Sequence, residues 1–247
     1  MIRNILDLIT DNALMLVMIA LVSYLIGSIS VAFIVTMYYE KKDIRKFGSG
    51  NAGTTNVLRN VGKVAGIITL VGDFSKAVLA LVLARATVKN FGVEVYSSAA
   101  GQYLSPVAEA LYIAGFFCLL GHLFPVYFNF KGGKGVLVAA GMILMVDWRV
   151  FIALFFVFAI SLIISKRVSV ASVVSCLLYP LITYLITFFM YYQEKVISGY
   201  QIEQVTIATV MAALIGGIVI FMHRQNIVRI FKGTEPKFKI KGEKLFK

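Results

Sequence analysis

Residues 12–39 read NALMLVMIALVSYLIGSISVAFIVTMYY, 28 residues without a charge between Asp11 and Glu40. A helix needs only about 20 apolar residues to cross a 30 Å hydrocarbon core. This stretch predicts a first membrane span. Its flank carries Arg3, Asp7 and Asp11, with no small-residue cleavage site followed by a soluble domain, so the helix is read as retained. Uncharged or nearly uncharged segments follow at 64–84, 110–130, 136–146, 150–165, 168–193 and 204–222. Seven segments result. The fourth, with 11 residues at about 1.5 Å each, reaches roughly half of the core and is either a short tilted span or a segment that dips in and returns.

The composition agrees with this reading. The chain of 247 residues is 60 % hydrophobic and 15 % charged, with a mean hydropathy of +0.87. A soluble domain carries about 25 % charge. Disorder, collagen-like repeats and a disulfide scaffold are excluded by the same figures. Cys118 and Cys176 sit in apolar runs, where a thiol behaves as a small hydrophobe and finds no second thiolate for a metal. The expected fold is an all-α integral membrane protein, with residues 1–222 as a multi-span domain and 223–247 as a basic tail.

The net charge of +12 sets the orientation. Short cytoplasmic loops carry the Lys/Arg excess of a membrane protein. With the N-terminus outside, the inner segments 40–63, 131–135, 166–167 and the tail from His223 hold 18 of the 24 Lys and Arg. Arg3, Arg85, Lys89, Arg149 and Lys195 fall outside, and Lys76 falls within a span. The tail is therefore expected in the cytoplasm. Its lysines read as a solvated segment attracted to anionic lipid, with no nucleic-acid partner.

Three polar clusters fall on that same side. The first is Gly48-Ser49-Gly50-Asn51-Ala52-Gly53-Thr54-Thr55-Asn56, followed by Arg59. Glycine lets backbone N–H groups converge on an anion, and hydroxyl and amide side chains entering a helix add donors and caps. It is not a Walker A motif, because Thr54 stands where lysine is required. The second runs from Gly121-His122 through Pro125 to Lys131-Gly132-Gly133-Lys134-Gly135, with lysine charges beside glycine backbone. The third is His223-Arg224-Gln225-Asn226, then Arg229 and Gly233-Thr234-Glu235, with His223 and Asn226 on one helix face. Each has a bland reading too: a flexible polar loop, a basic inner loop and an interfacial histidine. Asp73 and Lys76, three apart within the second span, read either as an intrahelical pair that holds the bundle or as a direct substrate contact.

Together the clusters suggest one composite site, cationic and rich in donors, for ligands carrying more than one phosphate. Acids are scarce there, with no paired aspartates for Mg²⁺, no zinc cluster and no G-x-S-x-G elbow. Tyr127 and Val228 occupy the fifth places after His122 and His223, so the H-x-x-x-x-D dyad of the common glycerolipid acyltransferases is missing.

In order and spacing, the three clusters resemble the short cytoplasmic motifs of the bacterial membrane acyl-phosphate:glycerol-3-phosphate acyltransferases of the PlsY type, over essentially the whole chain. The resemblance implies transfer of a fatty acyl group from acyl phosphate to the first hydroxyl of glycerol 3-phosphate. Lysophosphatidic acid and phosphate would leave, in phospholipid biosynthesis at the cytoplasmic membrane, with no metal and no cofactor. It carries Ser49, Arg59, Lys134, His223 and Asn226 into the site as catalytic residues. Gly50, Asn51, Gly53, Thr54, Asn56, Gly132, Gly133 and Gly135 become phosphate-binding residues. Asp73, Lys76, His122, Lys131 and Glu235 lie around them, Glu235 tied more to integrity than to chemistry. The chain departs from the pattern in its N-terminal extension, its long basic tail and the Val136-Leu137 that follows Gly135, where the family more often has Val-Ala. The alternative class is an anion transporter or phosphate-binding membrane protein. Transporters commonly carry inverted repeats, and no internal repetition is found here.

Overall fold

The computed structural model describes residues 12–90, 106–194 and 201–238. Arg3, Asp7, Asp11, Lys195 and the tail lysines from Lys239 onward lie outside the described residues. Every regular element among the described residues is helical. Among the described residues, six helices are long and apolar enough to cross a membrane: Ala13–Glu40, Lys63–Asn90, Val107–Phe128, Trp148–Ser165, Val168–Gln193 and Ile202–Met222. The fourth of the seven predicted segments is a helix over Val136–Val146, 11 residues long, with the bounds its hydropathy predicts.

The first span is broken where the sequence gives one uninterrupted run. Helix α1 (Ala13–Gly27) stops at Ser28, and α2 (Val31–Glu40) starts after Ser30. At the stop the Ser28 hydroxyl donates to the Tyr24 carbonyl at 2.9 Å and accepts from Val126 N at 3.4 Å, tying the break to the chain that follows Leu123. Ser and Thr compete in this way for helix carbonyls. The loop beyond α2 returns through a short helix, α3 (Thr54–Asn60), into the long α4 (Lys63–Asn90). Helix α5 (Pro106–Leu123) comes back toward α3, and α6 (Val136–Val146) and α7 (Trp148–Ser165) form a hairpin turned at Asp147. Asp147 starts α7 by accepting from Arg149 N at 2.9 Å and Val150 N at 3.4 Å. Helix α8 (Val168–Leu185) contains Pro180 and runs on as a π-helical turn over Ile186–Gln193. Helix α9 (Ile202–Met222) meets α10 (Arg224–Phe231) at His223.

The core lies among α1, α4, α5, α6 and α9, where Leu81, Ala114, Cys118, Leu119, Met142 and Ile215 are fully enclosed. Helix α1 packs most extensively on α5. Gly27 and Gly121 make that crossing close: a Cβ on Gly121 would stand 2.2 Å from the Tyr24 carbonyl oxygen, and one on Gly27 2.1 Å from that of Cys118. Small residues at a crossing let backbones approach, which drives packing in lipid, where burial against a partner gains little over lipid. The outward side chains are apolar, with Ile163 and Ile164 about three-quarters exposed, as a surface facing acyl chains requires.

Candidate active site

The first cluster is organised from below by a buried amide. Asn56 Nδ2 donates to the carbonyls of Ile44, Phe47 and Asn51 at 3.0–3.2 Å, while its Oδ1 accepts from Ser49 N at 3.0 Å and Asn60 Nδ2 at 2.8 Å. Asn56 thus shapes the loop that carries Gly48, Gly50, Asn51 and Gly53, the last leading into α3. The Ser49 side chain is exposed, and Thr54 Oγ1 is buried without a partner. Arg45, paired with Asp43 at 2.7 Å, donates to the Phe128 carbonyl at 2.7 Å and fastens this loop to the second cluster.

The second cluster folds back on the end of α5. Gly132 N donates to Leu123 O and Gly133 N to His122 O, both at 3.1 Å. Gly133 is pinned between clusters, since a Cβ there would lie 2.2 Å from His122 Nε2 and 2.8 Å from Ala52 O. Gly135, at φ +84°, turns the chain into α6. This turn aims Lys134 at the third cluster, where its ammonium donates to Asn226 Oδ1.

The third cluster is built around one buried carboxylate. Glu235 accepts from Ser169 Oγ, Asn226 Nδ2 and Arg229 Nε, each at 2.7 Å. Its backbone carbonyl accepts from Arg167 Nε at 3.0 Å. Arg59 reaches across from α3 and donates to the carbonyls of Pro236 and Lys237 at 3.3 Å. The structure therefore brings Arg59, Lys134, His223, Asn226 and Glu235 together. Lys131 is exposed and stands apart, and the Ser49 hydroxyl makes no hydrogen bond to Lys134 or His223 among the described residues. Ser169 and Arg167 went unnoticed in the sequence, where the loop 166–167 offers only its charge.

Electrostatics follow from the crowding. Burial pulls the Lys134 ammonium down to about 8; Glu235 opposes this, and Arg229 and Arg59 add to it. Arg59 is lowered by burial, with Glu235 again opposing and Arg229 adding. Its Nε–H is buried without an acceptor. Burial raises Glu235, but hydrogen bonds from Ser169, Asn226 and Arg229 outweigh it and hold the carboxyl below its usual range. His223 is lowered to about 4 by burial, against its bond to the Val219 carbonyl at 2.8 Å, with Lys134 lowering it further. That bond places the ring proton on Nδ1 and leaves Nε2 as the acceptor. Three cationic side chains around one carboxylate, with an unmet guanidinium N–H, form a site for oxyanions. A cavity of about 210 Å³ at the opposite ends of α5, α6, α8 and α9, lined by Glu109, Asp147, Arg149 and Tyr191 among others, contains none of these residues.

Fold and site define a multi-pass membrane protein with a cationic site for oxyanions. The family model described as glycerol-3-phosphate acyltransferase matches residues 17–233. The glycerol-3-phosphate acyltransferase of Staphylococcus aureus (strain Newman) is 35 % identical over 226 residues, 92 % of this chain and 99 % of that protein. Two crystal structures of PlsY (YgiH), an integral membrane glycerol 3-phosphate acyltransferase, are similar at 31 % identity. The glycerol 3-phosphate form has a TM-score of 0.69, covering 91 % of this chain and 96 % of that one. The lysophosphatidic acid form has 0.67, covering 91 % and 95 %. The chain belongs to the glycerol-3-phosphate acyltransferase family and is an integral membrane enzyme of phospholipid synthesis.

Proposed function

We propose that this acyltransferase takes its acyl group from a fatty acyl phosphate, on the cytoplasmic face of the membrane, and gives it to the first hydroxyl of glycerol 3-phosphate. The observation that carries this reading is the meeting of Arg59, Lys134 and Arg229 around Glu235, with a buried Arg59 N–H lacking an acceptor. Such a site suits two phosphates and, among the described residues, has no feature for an adenine nucleotide.

An acyl phosphate is already activated, so the protein has mainly to orient the hydroxyl and neutralise the departing phosphate. The hydroxyl oxygen bonds to the carbonyl carbon, and the bond from that carbon to the phosphate oxygen breaks. Lys134 and Arg59 bear the charge that develops on the phosphate. Asn226, held by Glu235, orients the Lys134 ammonium. The hydroxyl proton passes to His223 Nε2 or to a phosphate oxygen. At a value of about 4 the imidazole is neutral at pH 7, available as an acceptor but weakly basic. Ser49 and the glycines of its loop line the approach.

Purified protein in detergent, given glycerol 3-phosphate with palmitoyl phosphate or with palmitoyl-CoA, tests the donor. Lysophosphatidic acid should form from the acyl phosphate alone. Comparable turnover from the thioester would overturn the assignment.

A further inference from the structure

His223 has a part in the reaction above, and the chain's other histidine, His122, has none. His122 is 6 % exposed and lies at the end of α5 beside two ionisable groups of α4. Lys76 Nζ stands 2.9 Å from the Ile29 carbonyl oxygen, 3.0 Å from Asp73 Oδ1 and 2.9 Å from His122 Nδ1. An ammonium carries three N–H donors and no acceptor, so the Ile29 carbonyl and His122 Nδ1 can only accept from it, with Asp73 as its ion-pair partner. The Ile29 carbonyl is open because the first span breaks at Ser28–Ser30, and no helical N–H reaches it. Asp73 balances the charge.

His122 Nδ1 must then present its lone pair to Lys76. A neutral imidazole has one donor and one acceptor nitrogen, which puts the proton on Nε2. That nitrogen faces the junction of the first two motifs: a Cβ on Gly133 would lie 2.2 Å from it and 2.8 Å from Ala52 O. Among the described residues Nε2 makes no hydrogen bond. The opposite tautomer would set an N–H against the ammonium and turn a lone pair toward any incoming oxyanion.

We propose that His122 is a further substrate-contacting residue, whose Nε2–H donates to a phosphoryl oxygen at the junction of the first two motifs, and that Lys76 is the positioning residue that fixes this tautomer. The inference rests on the reading that the substrates of this site are phosphates, and adds to it a neutral donor beside the cationic ones. The helix break thereby acquires a chemical purpose: it supplies the carbonyl that orients the ammonium, which in turn sets the imidazole.

The chain holds only two histidines, so ¹⁵N-histidine NMR of the intact protein reads both rings directly. His122 should have an acceptor-type Nδ1 and an N–H-type Nε2, and His223 the reverse, because its Nδ1 faces the Val219 carbonyl. Adding glycerol 3-phosphate, or inorganic phosphate as the bare anion, should shift His122 Nε2. In kinetics, His122→Ala should raise KM for one phosphate substrate roughly ten- to a hundredfold, the loss of one charge-assisted hydrogen bond, with a smaller fall in kcat. The substrate whose KM rises identifies the phosphate bound. His122→Gln, which carries an N–H at a similar reach, should recover most of the loss. The paired change Asp73→Asn with Lys76→Met should turn the His122 signals into a tautomer mixture and raise the same KM. A protonated Nδ1 on His122 in the unaltered protein, or no phosphate-induced shift, would overturn the proposal even where a variant fails to fold. These spectra do not depend on the acyl donor, so a failure of the acyl-phosphate reading leaves the test intact.

Discussion

Lys134→Met should lower activity and raise stability at once. In the folded protein the ammonium is pulled from 10.5 to about 8 by burial, with Arg229 and Arg59 adding to the effect. A base whose folded value lies below its unfolded one is destabilising when charged. The cost is fully present below pH 8 and disappears as pH rises past the unfolded value. A displacement of that size corresponds to about 3 kcal/mol. Removing the charge recovers it, while Asn226 Oδ1 loses a donor, at about 1 kcal/mol or somewhat more. The expected net gain is about 1–2 kcal/mol at pH 7, read as a higher Tm in detergent. The same change removes the contact proposed to strengthen as phosphate departs, so kcat should fall about 10²–10³-fold. Lys131→Ala is the control: its ammonium is exposed and stands apart from the third cluster, and most activity should remain. Acyl transfer to glycerol 3-phosphate and thermal unfolding, measured on the same preparations, decide the matter. Equal activity losses in the two variants, or a Lys134→Met protein that is both active and less stable, would refute the reasoning.

Other outcomes follow from the same geometry. Gly133→Ala should raise KM for glycerol 3-phosphate more than it lowers kcat, because the new methyl meets His122 Nε2 and Ala52 O; steady-state kinetics with each substrate varied in turn will measure this. Glu235→Gln should destabilise the protein above about pH 4.5 and converge with the unaltered chain as pH falls through the depressed folded value, since a lowered carboxyl stabilises only while ionised; denaturation across pH checks the sign. Single cysteines at Ser49, Lys134 and Lys232, in a background lacking Cys118 and Cys176, should escape an impermeant thiol reagent in intact cells, and labelling of any one from outside would contradict the cytoplasmic placement.

The spans were legible because lipid imposes a simple rule: long uncharged runs must become helices, and even α6 ends where its apolar run ends, at Val146 and Asp147. The break at Ser28–Ser30 was not: the Ser28 bond to Tyr24 is one that Ser172 also makes in an unbroken helix, and its contact with Val126 is distant in sequence. The site shows the same division. Glycine-rich and basic stretches marked the three loops, but composition and spacing do not distinguish Lys134 from Lys131; only the family resemblance singled out Lys134. The turn at Gly135 and the position of Asn226 separate them. Ser169 and Arg167 were invisible because their function is to hold Glu235, a contact made across more than sixty residues.

The dependence on Glu235 also bears on how the protein is made. A chain emerging from the ribosome presents Arg59 and Lys134 while α8, α9 and α10 are still unsynthesised. The buried carboxylate that gathers Ser169, Asn226 and Arg229 follows the last span. Until that segment arrives, Lys134 has no Asn226 to orient it, and the cations gathered near it have no counter-charge to hold them close. The cluster around Glu235 therefore closes only once α9 and α10 have been made.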